Sequence, residues 1–234
     1  MIYFAHRGAS GHAPENTLLA FETALSLGAT WIELDVFAVE KEIVVIHDRQ
    51  LDRTTNGSGD VTSATIAYLR SLDAGKGEKI PFLREVLNTV AGKAGINIEL
   101  KGTNTAAPVA SLIESYVSRD IFGKDQFLVS SFDRRELQCF SRLAPAIRTG
   151  LNLSGPPLSD AAFAKGLGLY SLHVHRNSVT RTFVEDAHRR GFKVFVFTIN
   201  QAEALTAMIS IGVDGIFTNY PELYPMCNAP AGSS

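Results

Sequence analysis

A repeated pattern of helix, glycine and short apolar run constrains the fold of this 234-residue chain more than any other feature. Four apolar runs follow such a pattern closely, namely WIELDV, INIEL, FKVFVF and GIFT. Further apolar runs over 2–5, 127–132, 147–153 and 171–175 bring the predicted parallel strands to eight. Strands alternating with helices at this chain length favour an α/β fold, a TIM (β/α)8 barrel. An open doubly wound sheet stays the alternative, since a strand count does not show closure. The glycines that we expect to close helices are Gly28, Gly92 with Gly95, Gly191 and Gly212.

One apolar run does not fit the alternation. IVVIHD, over 43–48, follows WIELDVF after only Glu40-Lys41-Glu42, a gap too short for a parallel crossover. We therefore expect a β-hairpin after the second barrel strand. A turn centred near Lys41 places His47 opposite Asp35.

A polar stretch follows the hairpin. Residues 49–80 are rich in Thr, Ser, Asn, Gly and Asp, with a short helical pattern near Ile66 to Leu72 and a Gly75-Lys76-Gly77 turn. We expect a small insertion at the barrel mouth, about 37–80 with the hairpin included. The chain should form a single domain over 1–227, followed by a disordered tail over 228–234.

The composition of the chain limits which binding partners and which cellular compartment we expect. With 45% hydrophobic residues and a formal net charge of −2, the chain predicts a globular protein with no charge-based case for binding nucleic acid. No stretch approaches the ~20 apolar residues of a membrane span, so we expect no stable membrane association. The two cysteines, Cys139 and Cys227, do not suggest a disulfide framework and favour a cytoplasmic protein. The sequence leaves the oligomeric state open.

Carboxylates stand at matching positions on two predicted strands. Glu33 and Asp35 are two residues apart, as are Glu99 and Lys101, so each pair faces one way. In a barrel such side chains converge on the mouth at the C-terminal ends of the strands. Three carboxylates in a small volume repel one another unless a cation is present, and oxygen ligands favour a hard ion. We predict that one Mg²⁺ or Ca²⁺ binds Glu33, Asp35 and Glu99.

The first strand runs directly into His6-Arg7-Gly8. This motif pairs a histidine that can move protons with a fixed guanidinium, which predicts a site for an anionic group. Together with Glu33-Leu34-Asp35, His47-Asp48 and Glu99-Leu100-Lys101, it indicates a metal-dependent phosphodiester hydrolase.

Other polar residues have plainer interpretations. We expect His173 and His175, on a later strand, to be structural residues. Arg189 and Arg190 lie near a predicted helix C-terminus, where cations complement the helix dipole.

The motifs as an ordered set resemble the glycerophosphodiester phosphodiesterase family, in particular its short bacterial cytoplasmic members. The similarity runs through HRG, PENT, IELDV, VVIHD, LDRTTNGSG, LDAG, IEL-K, SSFD, FTIN and GVDGIFTN. The family has a TIM-barrel fold with a small insertion after its second strand, which agrees with the hairpin expected here.

The resemblance implies metal-dependent hydrolysis of glycerophosphodiesters, such as glycerophosphocholine or glycerophosphoethanolamine, to glycerol 3-phosphate and an alcohol. The family's roles are general acid-base catalysis, metal binding and phosphate binding. On this chain they fall on His6 and His47, on Glu33, Asp35 and Glu99, and on Arg7 and Lys101, respectively. The resemblance leaves open which histidine is the base, which metal binds and which headgroup is preferred.

Three departures from the family pattern bear on substrate range. The hairpin carries Val39-Glu40-Lys41-Glu42 in place of a Thr-x-Asp-Gly turn, the 76–79 loop is short, and Phe197 replaces a typical tryptophan. A lysophospholipase D-like activity is an alternative, although the short 76–79 loop argues against binding of a long acyl chain. A non-catalytic phosphate-binding barrel would not need both His6 and His47. A metal-dependent sugar isomerase would leave Arg7 unexplained.

Overall fold

The computed structural model, which describes residues 1–155 and 160–223, confirms the predicted α/β barrel. Eight parallel strands close into a barrel through the pairing of the first strand with the second and the last. One further strand, β3, pairs antiparallel with β2. The strands are β1 (Ile2–His6), β2 (Trp31–Val39), β3 (Glu42–Val45), β4 (Gly95–Leu100), β5 (Phe127–Ser131), β6 (Arg148–Leu153), β7 (Ser171–His175), β8 (Lys193–Phe197) and β9 (Gly215–Thr218).

Among the described residues, helices lie in every connection between successive barrel strands except one. Between β6 and β7 the described residues hold a 3-10 turn, Ala162–Ala164, where the predicted alternation requires a helix. Gly166 and Gly168 adopt positive φ angles there, which a right-handed helix does not accommodate. The helices of the described residues are α1 (Leu18–Ser26), α2 (Ile66–Ser71), α3 (Leu83–Val90), α4 (Ala106–Ser118), α5 (Arg134–Leu143), α6 (Arg181–Arg189) and α7 (Ala202–Ser210).

The predicted glycine punctuation is confirmed at four positions and differs at one. Gly28, Gly92, Gly191 and Gly212 have φ angles of 81°, 74°, 84° and 84°, the left-handed conformation typical of helix ends. Gly95 is instead the first residue of β4. A Cβ at Gly95 would lie 2.7 Å from Trp31 Cδ2, so a close approach of two strands requires this glycine.

Aromatic side chains fill the barrel interior below the mouth. Phe4 stacks on Phe217 at 4.6 Å between ring centroids and contacts Phe195 at 5.1 Å and Trp31 at 5.4 Å. Because side chains alternate along a strand, His6 points into the same interior two residues after Phe4, closer to the mouth. The aromatic plug therefore forms the floor beneath the strand ends.

The opposite faces of the strands pack against the helices. On β2, Ile32 and Leu34 are fully buried in a cluster that includes Leu87 and Val90 of α3. A second cluster on the far side of the barrel joins β7 and β8 to α6. Each barrel strand is thus fixed from both sides, which sets the positions of the side chains at its C-terminal end.

The hairpin register differs by one residue from the prediction. Val36 pairs with Val45 and Val39 with Glu42, so the turn consists of Glu40 and Lys41, with a φ of 53° at Glu40. Asp35 accepts a backbone hydrogen bond of 3.0 Å from Ile46, and His47 is therefore not opposite Asp35. The two-residue turn is the physical reason, since a turn centred on Lys41 would need an odd number of residues.

The insertion has a hydrophobic core of its own. The predicted short helix is confirmed as α2, and Gly75, Lys76 and Gly77 all have positive φ angles in the predicted turn. A separate apolar cluster joins the hairpin to the insertion and to the start of α3. Its buried members are Phe37, Val39, Val44, Ile46, Leu51, Val61, Leu69, Leu72, Ala74, Ile80 and Phe82.

The remaining sequence expectations concern a membrane span, the two cysteines and the C-terminal residues. Within 1–155 and 160–223, no helix is long and apolar enough to cross a membrane. Cys139 lies on α5 as a free thiol. Cys227, the predicted domain end at 227 and the predicted tail over 228–234 lie outside the described residues.

Replacing Phe4 with Ala should lower the free energy of unfolding by about 3–5 kcal/mol, because it opens a cavity in a fully buried aromatic cluster. Urea unfolding followed by far-UV circular dichroism measures the change. Ile209→Ala is the matched control, since Ile209 is an exposed residue of α7 and should change stability by less than about 0.5 kcal/mol. Equal effects of the two substitutions would contradict the assignment of Phe4 to the barrel floor.

Candidate active site

Three carboxylates converge at the barrel mouth, as the sequence predicts. Strand pairing sets Asp35 of β2 beside Glu99 of β4, and Glu33 lies one pleat lower on β2. All three residues are buried, and each offers an oxygen within 4.8 Å of the oxygens of the others. The E-x-D and E-x-K spacings therefore do place their side chains on one interior face.

The three carboxyl groups do not ionise alike. Burial, followed by repulsion from Asp35, raises the pKa of Glu99 to about 7. Burial and the charges of Asp35 and Glu99 raise the pKa of Glu33 well above its usual value. At Asp35 burial acts in the same direction, but Lys101 and Arg7 outweigh it and lower the pKa. Glu33 and Glu99 therefore keep their protons to higher pH than ordinary carboxyls do, and a bound divalent cation would displace those protons.

The donor set fits a hard divalent cation. Three buried carboxylates from two rigid strands offer oxygen ligands, the type that Mg²⁺ and Ca²⁺ prefer. Mutual repulsion is the cost that a cation would remove. Glu33, Asp35 and Glu99 are therefore the candidate ligands, and the chemistry of the set does not distinguish between the two ions.

Two cationic side chains border the carboxylates. Lys101 Nζ lies 2.7 Å from Glu99 Oε1 and 3.4 Å from Asp35 Oδ1. Arg7 Nε lies 3.4 Å from Asp35 Oδ2, and the Arg7 backbone N–H donates to Glu33 Oε2 at 2.9 Å. Both residues, predicted to hold phosphate, thus lie at the edge of the carboxylate cluster.

The turn after β1 explains the His6-Arg7-Gly8 motif. Arg7 has a φ of 56°, and such a conformation is uncommon for a residue with a side chain. Gly8 has a φ of 80°, and a Cβ there would lie 2.6 Å from the Ala20 carbonyl carbon. A larger residue at Gly8 would push the turn away from α1, so glycine lets Arg7 turn back towards the carboxylates.

Asn16 and Thr17 of the PENT motif hold this end of the barrel together. Asn16 Nδ2 donates to Asp35 Oδ2 at 2.9 Å, and the Asp35 backbone N–H donates to Asn16 Oδ1 at 3.3 Å. Thr17 caps α1 by accepting from the Ala20 backbone N–H. One short motif therefore orients a candidate metal ligand and starts a helix.

His6 is oriented by asparagines that the sequence analysis did not single out as site residues. His6 Nδ1 lies 2.8 Å from Asn219 Oδ1, and the Asn219 backbone N–H donates to Asn200 Oδ1 at 2.8 Å. Because Oδ1 only accepts, Nδ1 is the protonated nitrogen and Nε2 keeps its lone pair. Burial and then Arg7 lower the pKa of His6 to about 4. Asn200 and Asn219 are the last residues of the FTIN and GIFTN motifs, and these motifs are the sequence feature by which both asparagines could have been identified.

His47 reaches the site from just beyond β3. Its Nδ1 pairs with Asp48, and the other oxygen of Asp48 accepts from Arg53. Burial, with Lys101 and Arg7, lowers the pKa of His47, although Asp35 and Asp48 oppose the shift. Sequence reasoning did not identify Asp48 or Arg53 as functional, although HD and LDRTT are among the motifs it recognised.

A small cavity brings the candidate residues together. Its volume is about 110 Å³. The lining also includes the aromatic residues Phe132 and Phe197, so the residue in the place of the family's typical tryptophan contributes apolar surface to the cavity. Asn97 and Asn152 also line this cavity, and the Oδ1 atom of each is buried with no hydrogen-bond partner among the residues that the structure describes. The lining consists of His6, Arg7, Glu33, His47, Asn97, Glu99, Lys101, Phe132, Asn152, His173, Phe197 and Phe217.

A larger groove opens next to this cavity. It has a volume of about 890 Å³ and shares His47 and Lys101 with the smaller cavity. The β2–β3 hairpin forms one side and the loop after β4 the other, including Gly102 and Asn104. Apart from Phe37, Ala38 and Pro108, most of the lining side chains are polar or charged.

The remaining polar residues have structural contacts. His173 Nε2 lies 2.9 Å from Ser171 Oγ, and burial lowers the pKa of His173 to about 3, so it stays neutral. His175 Nδ1 accepts from the Asn177 backbone N–H. Arg189 and Arg190 both pair with Asp186 on α6, which also accepts from the Ala161 backbone N–H. Asp186 therefore ties α6 to the loop before β7, and the two arginines neutralise its charge.

Comparison with known proteins gives concordant matches over nearly the whole chain. Residues 6–223 match the model of the glycerophosphoryl diester phosphodiesterase family. A glycerophosphodiester phosphodiesterase of Caldanaerobacter subterraneus subsp. tengcongensis is 35% identical over 94% of this chain and 95% of its own. One from Bacillus altitudinis is 36% identical over 94% of each chain. The structure of an Oleispira antarctica phosphodiesterase, solved with its product sn-glycerol-3-phosphate, matches with a TM-score of 0.87 at 32% identity, covering 97% of this chain and 96% of that one.

The raised pKa values predict a pH-dependent metal affinity. Protons compete with the cation for Glu33 and Glu99, so the association constant for Mg²⁺ or Ca²⁺ should rise with pH, by about tenfold per unit for each proton released, up to at least the Glu99 pKa of about 7. Calorimetric titration between about pH 5.5 and about pH 8 measures the slope. Glu99→Gln should bind more weakly with a shallower slope, whereas Glu114→Gln, an exposed residue of α4, should match the parent protein. An affinity independent of pH below 7 would contradict the electrostatic description.

Proposed function

Because the chain belongs to the glycerophosphoryl diester phosphodiesterase family, we propose that this phosphoric diester hydrolase releases glycerol 3-phosphate and an alcohol from small glycerophosphodiesters. Glycerophosphocholine and glycerophosphoethanolamine are the substrates we propose first. The observation that carries the proposal is the convergence of three buried carboxylates and two histidines at one barrel mouth. The Oleispira antarctica relative, solved with sn-glycerol-3-phosphate, supports the same product here.

One divalent cation, Mg²⁺ or Ca²⁺, completes the proposed site. Glu33, Asp35 and Glu99 would hold it. The raised pKa values of Glu33 and Glu99 are what such a set of ligands should show without the ion. When bound, a cation of this kind neutralises charge on a phosphoryl oxygen. Arg7 and Lys101 contribute further positive charge beside the same carboxylates, where it would stabilise the phosphodiester during attack.

His6 is the general base in this proposal. Its Nδ1 proton is committed to Asn219, so Nε2 is free to accept a proton from the attacking group. An attacking water gives glycerol 3-phosphate directly, whereas an attacking glycerol hydroxyl gives a cyclic phosphate that a water then opens to glycerol 3-phosphate. The depressed pKa of His6 keeps the imidazole neutral at physiological pH, which a base requires. Asn200 supports the role by holding Asn219.

His47 is the general acid. As the bond from phosphorus to the leaving oxygen breaks, that oxygen needs a proton, and His47 lies where the inner cavity meets the larger groove. Asp48 behind its Nδ1 favours the imidazolium form. The negative charge of a bound phosphodiester acts in the same direction on the pKa of His47. In this assignment the glycerol phosphate half occupies the inner cavity and the alcohol leaves through the groove.

The inner cavity offers acceptors for a polyol. Asn97 and Asn152 line it, and among the described residues their buried Oδ1 atoms have no hydrogen-bond donor, which costs about 1–3 kcal/mol for each acceptor. Glycerol hydroxyls would satisfy both oxygens, while Phe132 and Phe197 would cover the carbon atoms. Charged residues in the lining of the groove, such as Glu40, Lys41 and Glu42, suit a small hydrophilic alcohol better than the acyl chain of a lysophospholipase D substrate. We also propose that the protein acts in the cytoplasm.

Purified protein supplied with Mg²⁺ or Ca²⁺ should release glycerol 3-phosphate from glycerophosphocholine and glycerophosphoethanolamine, with much weaker turnover of lysophosphatidylcholine. A coupled glycerol 3-phosphate dehydrogenase assay measures the product for each headgroup and metal. Chelator treatment should abolish turnover, and metal addition should restore it. Folded protein that stays inactive across the panel would overturn the proposal.

His47→Ala should reduce kcat by about 10²–10⁴-fold, because the leaving alkoxide loses its proton donor. Metal affinity measured by calorimetry should change little, since His47 is not among the carboxylate ligands. His188→Ala provides the control, because His188 pairs with Asp214 at the far end of the barrel and should keep full activity. A His47→Ala enzyme as active as the control would remove His47 from the mechanism.

A further inference from the structure

One guanidinium of the insertion bridges the two parts of the site. Arg53 NH1 and NH2 donate to the two oxygens of Glu15 at 2.8 Å each, and Arg53 Nε donates to Asp48. Glu15 Oε1 also accepts from Arg7 NH1 at 2.8 Å, while Asp48 pairs with His47. A continuous line of contacts therefore runs from His47 through Arg53 to Arg7.

His47 needs such a support more than the other site residues do. It follows β3, a strand outside the barrel, whereas His6 ends β1 and the carboxylates lie within β2 and β4. Within the described part of the chain, Asp48 is the polar partner of the His47 ring. Asp48 itself follows the strand, and among the described residues the side-chain partner of its carboxylate other than His47 is Arg53.

Arg7 depends less on the same link. Its backbone N–H donates to Glu33 and its Nε lies near Asp35, so two contacts other than Glu15 hold it. Loss of Arg53 should therefore act mainly on His47.

The effect on stability should be small. Arg53 is half-exposed, with 49% of its side-chain surface accessible, and ion pairs at such positions are weak because water screens them. Catalysis is more sensitive to position, because a displacement of about 1 Å at a reacting group can cost about 100-fold in rate. These magnitudes separate a positioning role from a purely structural one.

We propose that Arg53 is a positioning residue. By bridging Asp48 to Glu15 in the loop after β1, it holds the Asp48–His47 pair in place and so sets the distance between His47 and His6. The inference rests on the proposed function for its rate prediction, since it presupposes that His6 and His47 act on one substrate. It also predicts a property of His47 that needs no turnover. No contact of Arg53 with substrate is required.

Arg70 offers a matched control. It also belongs to the insertion and also makes a bidentate pair with a glutamate outside it, donating to Glu85 at 2.9 Å twice. Its further contacts are the Ile80 carbonyl and the Phe82 ring, and it does not line either cavity at the mouth. A variant at Arg70 therefore loses a similar interaction without touching the line to His47.

The test compares kinetics of Arg53→Met, Arg53→Lys and Arg70→Met. Arg53→Met should lower kcat by about tenfold or more while KM changes less than about threefold, and Arg53→Lys should recover part of the rate. Arg70→Met should keep the parent kcat. In a His47→Ala background, Arg53→Met should have almost no further effect, since the two residues act as one unit. Full activity of Arg53→Met, equal losses in both arginine variants, or an undiminished effect in the His47→Ala background would each overturn the proposal.

A spectroscopic measurement on the substrate-free protein is independent of turnover. The imidazole ¹⁵N shifts of His47, assigned with His47→Ala, should report a proton held on Nδ1 in the parent protein and in Arg70→Met. In Arg53→Met they should move towards a mixture of tautomers. Unchanged His47 shifts in Arg53→Met would overturn the positioning role. If the parent releases no glycerol 3-phosphate, the proposed function fails, and the shifts still decide whether Arg53 positions His47.

Discussion

Repulsion among three buried carboxylates is the constraint around which the barrel mouth is organised. Glu33, Asp35 and Glu99 share a few ångströms on two adjacent strands, where water cannot screen their charges. The protein answers this repulsion with Arg7 and Lys101 at the edges and with raised pKa values at two of the three groups. The features that bind an anion and the features that bind a cation are thus parts of one electrostatic balance.

The histidines enter this balance from different kinds of structure. His6 ends a barrel strand and is fixed by asparagines that follow two neighbouring strands. His47 comes from a hairpin whose apolar side packs into the insertion's own core. One part of the site therefore lies on barrel strands and the other on the hairpin and insertion. The contacts of Arg53 with Asp48 and Glu15 connect the two parts.

The sequence predicted the barrel and the mouth residues because their signals are local. Side-chain alternation on a strand is enough to bring Glu33 and Asp35 to one face, and strand ends bring Glu99 to the same mouth. The register of His47 was wrong by one residue because a turn of two residues and one of three look alike in sequence. The partners of the histidines could not be predicted from spacing, since Asn219 meets His6, and Arg53 meets Glu15, only after the chain folds. The described residues between β6 and β7 form a 3-10 turn where a helix was expected, because Gly166 and Gly168 adopt a backbone conformation that a strand count does not reveal.

The aromatic floor of the barrel has a kinetic consequence. Phe4, Phe195 and Phe217 pack together in the barrel interior below the mouth, so we expect a ligand to enter and leave through the mouth alone. Under the proposed function, the alcohol lies in the open groove and the glycerol phosphate lies beneath it. Departure is then ordered, with the alcohol first and the phosphate product last. The same geometry makes the retained product a competitor of the next substrate molecule, so the inner cavity also governs how strongly the enzyme is inhibited by what it makes.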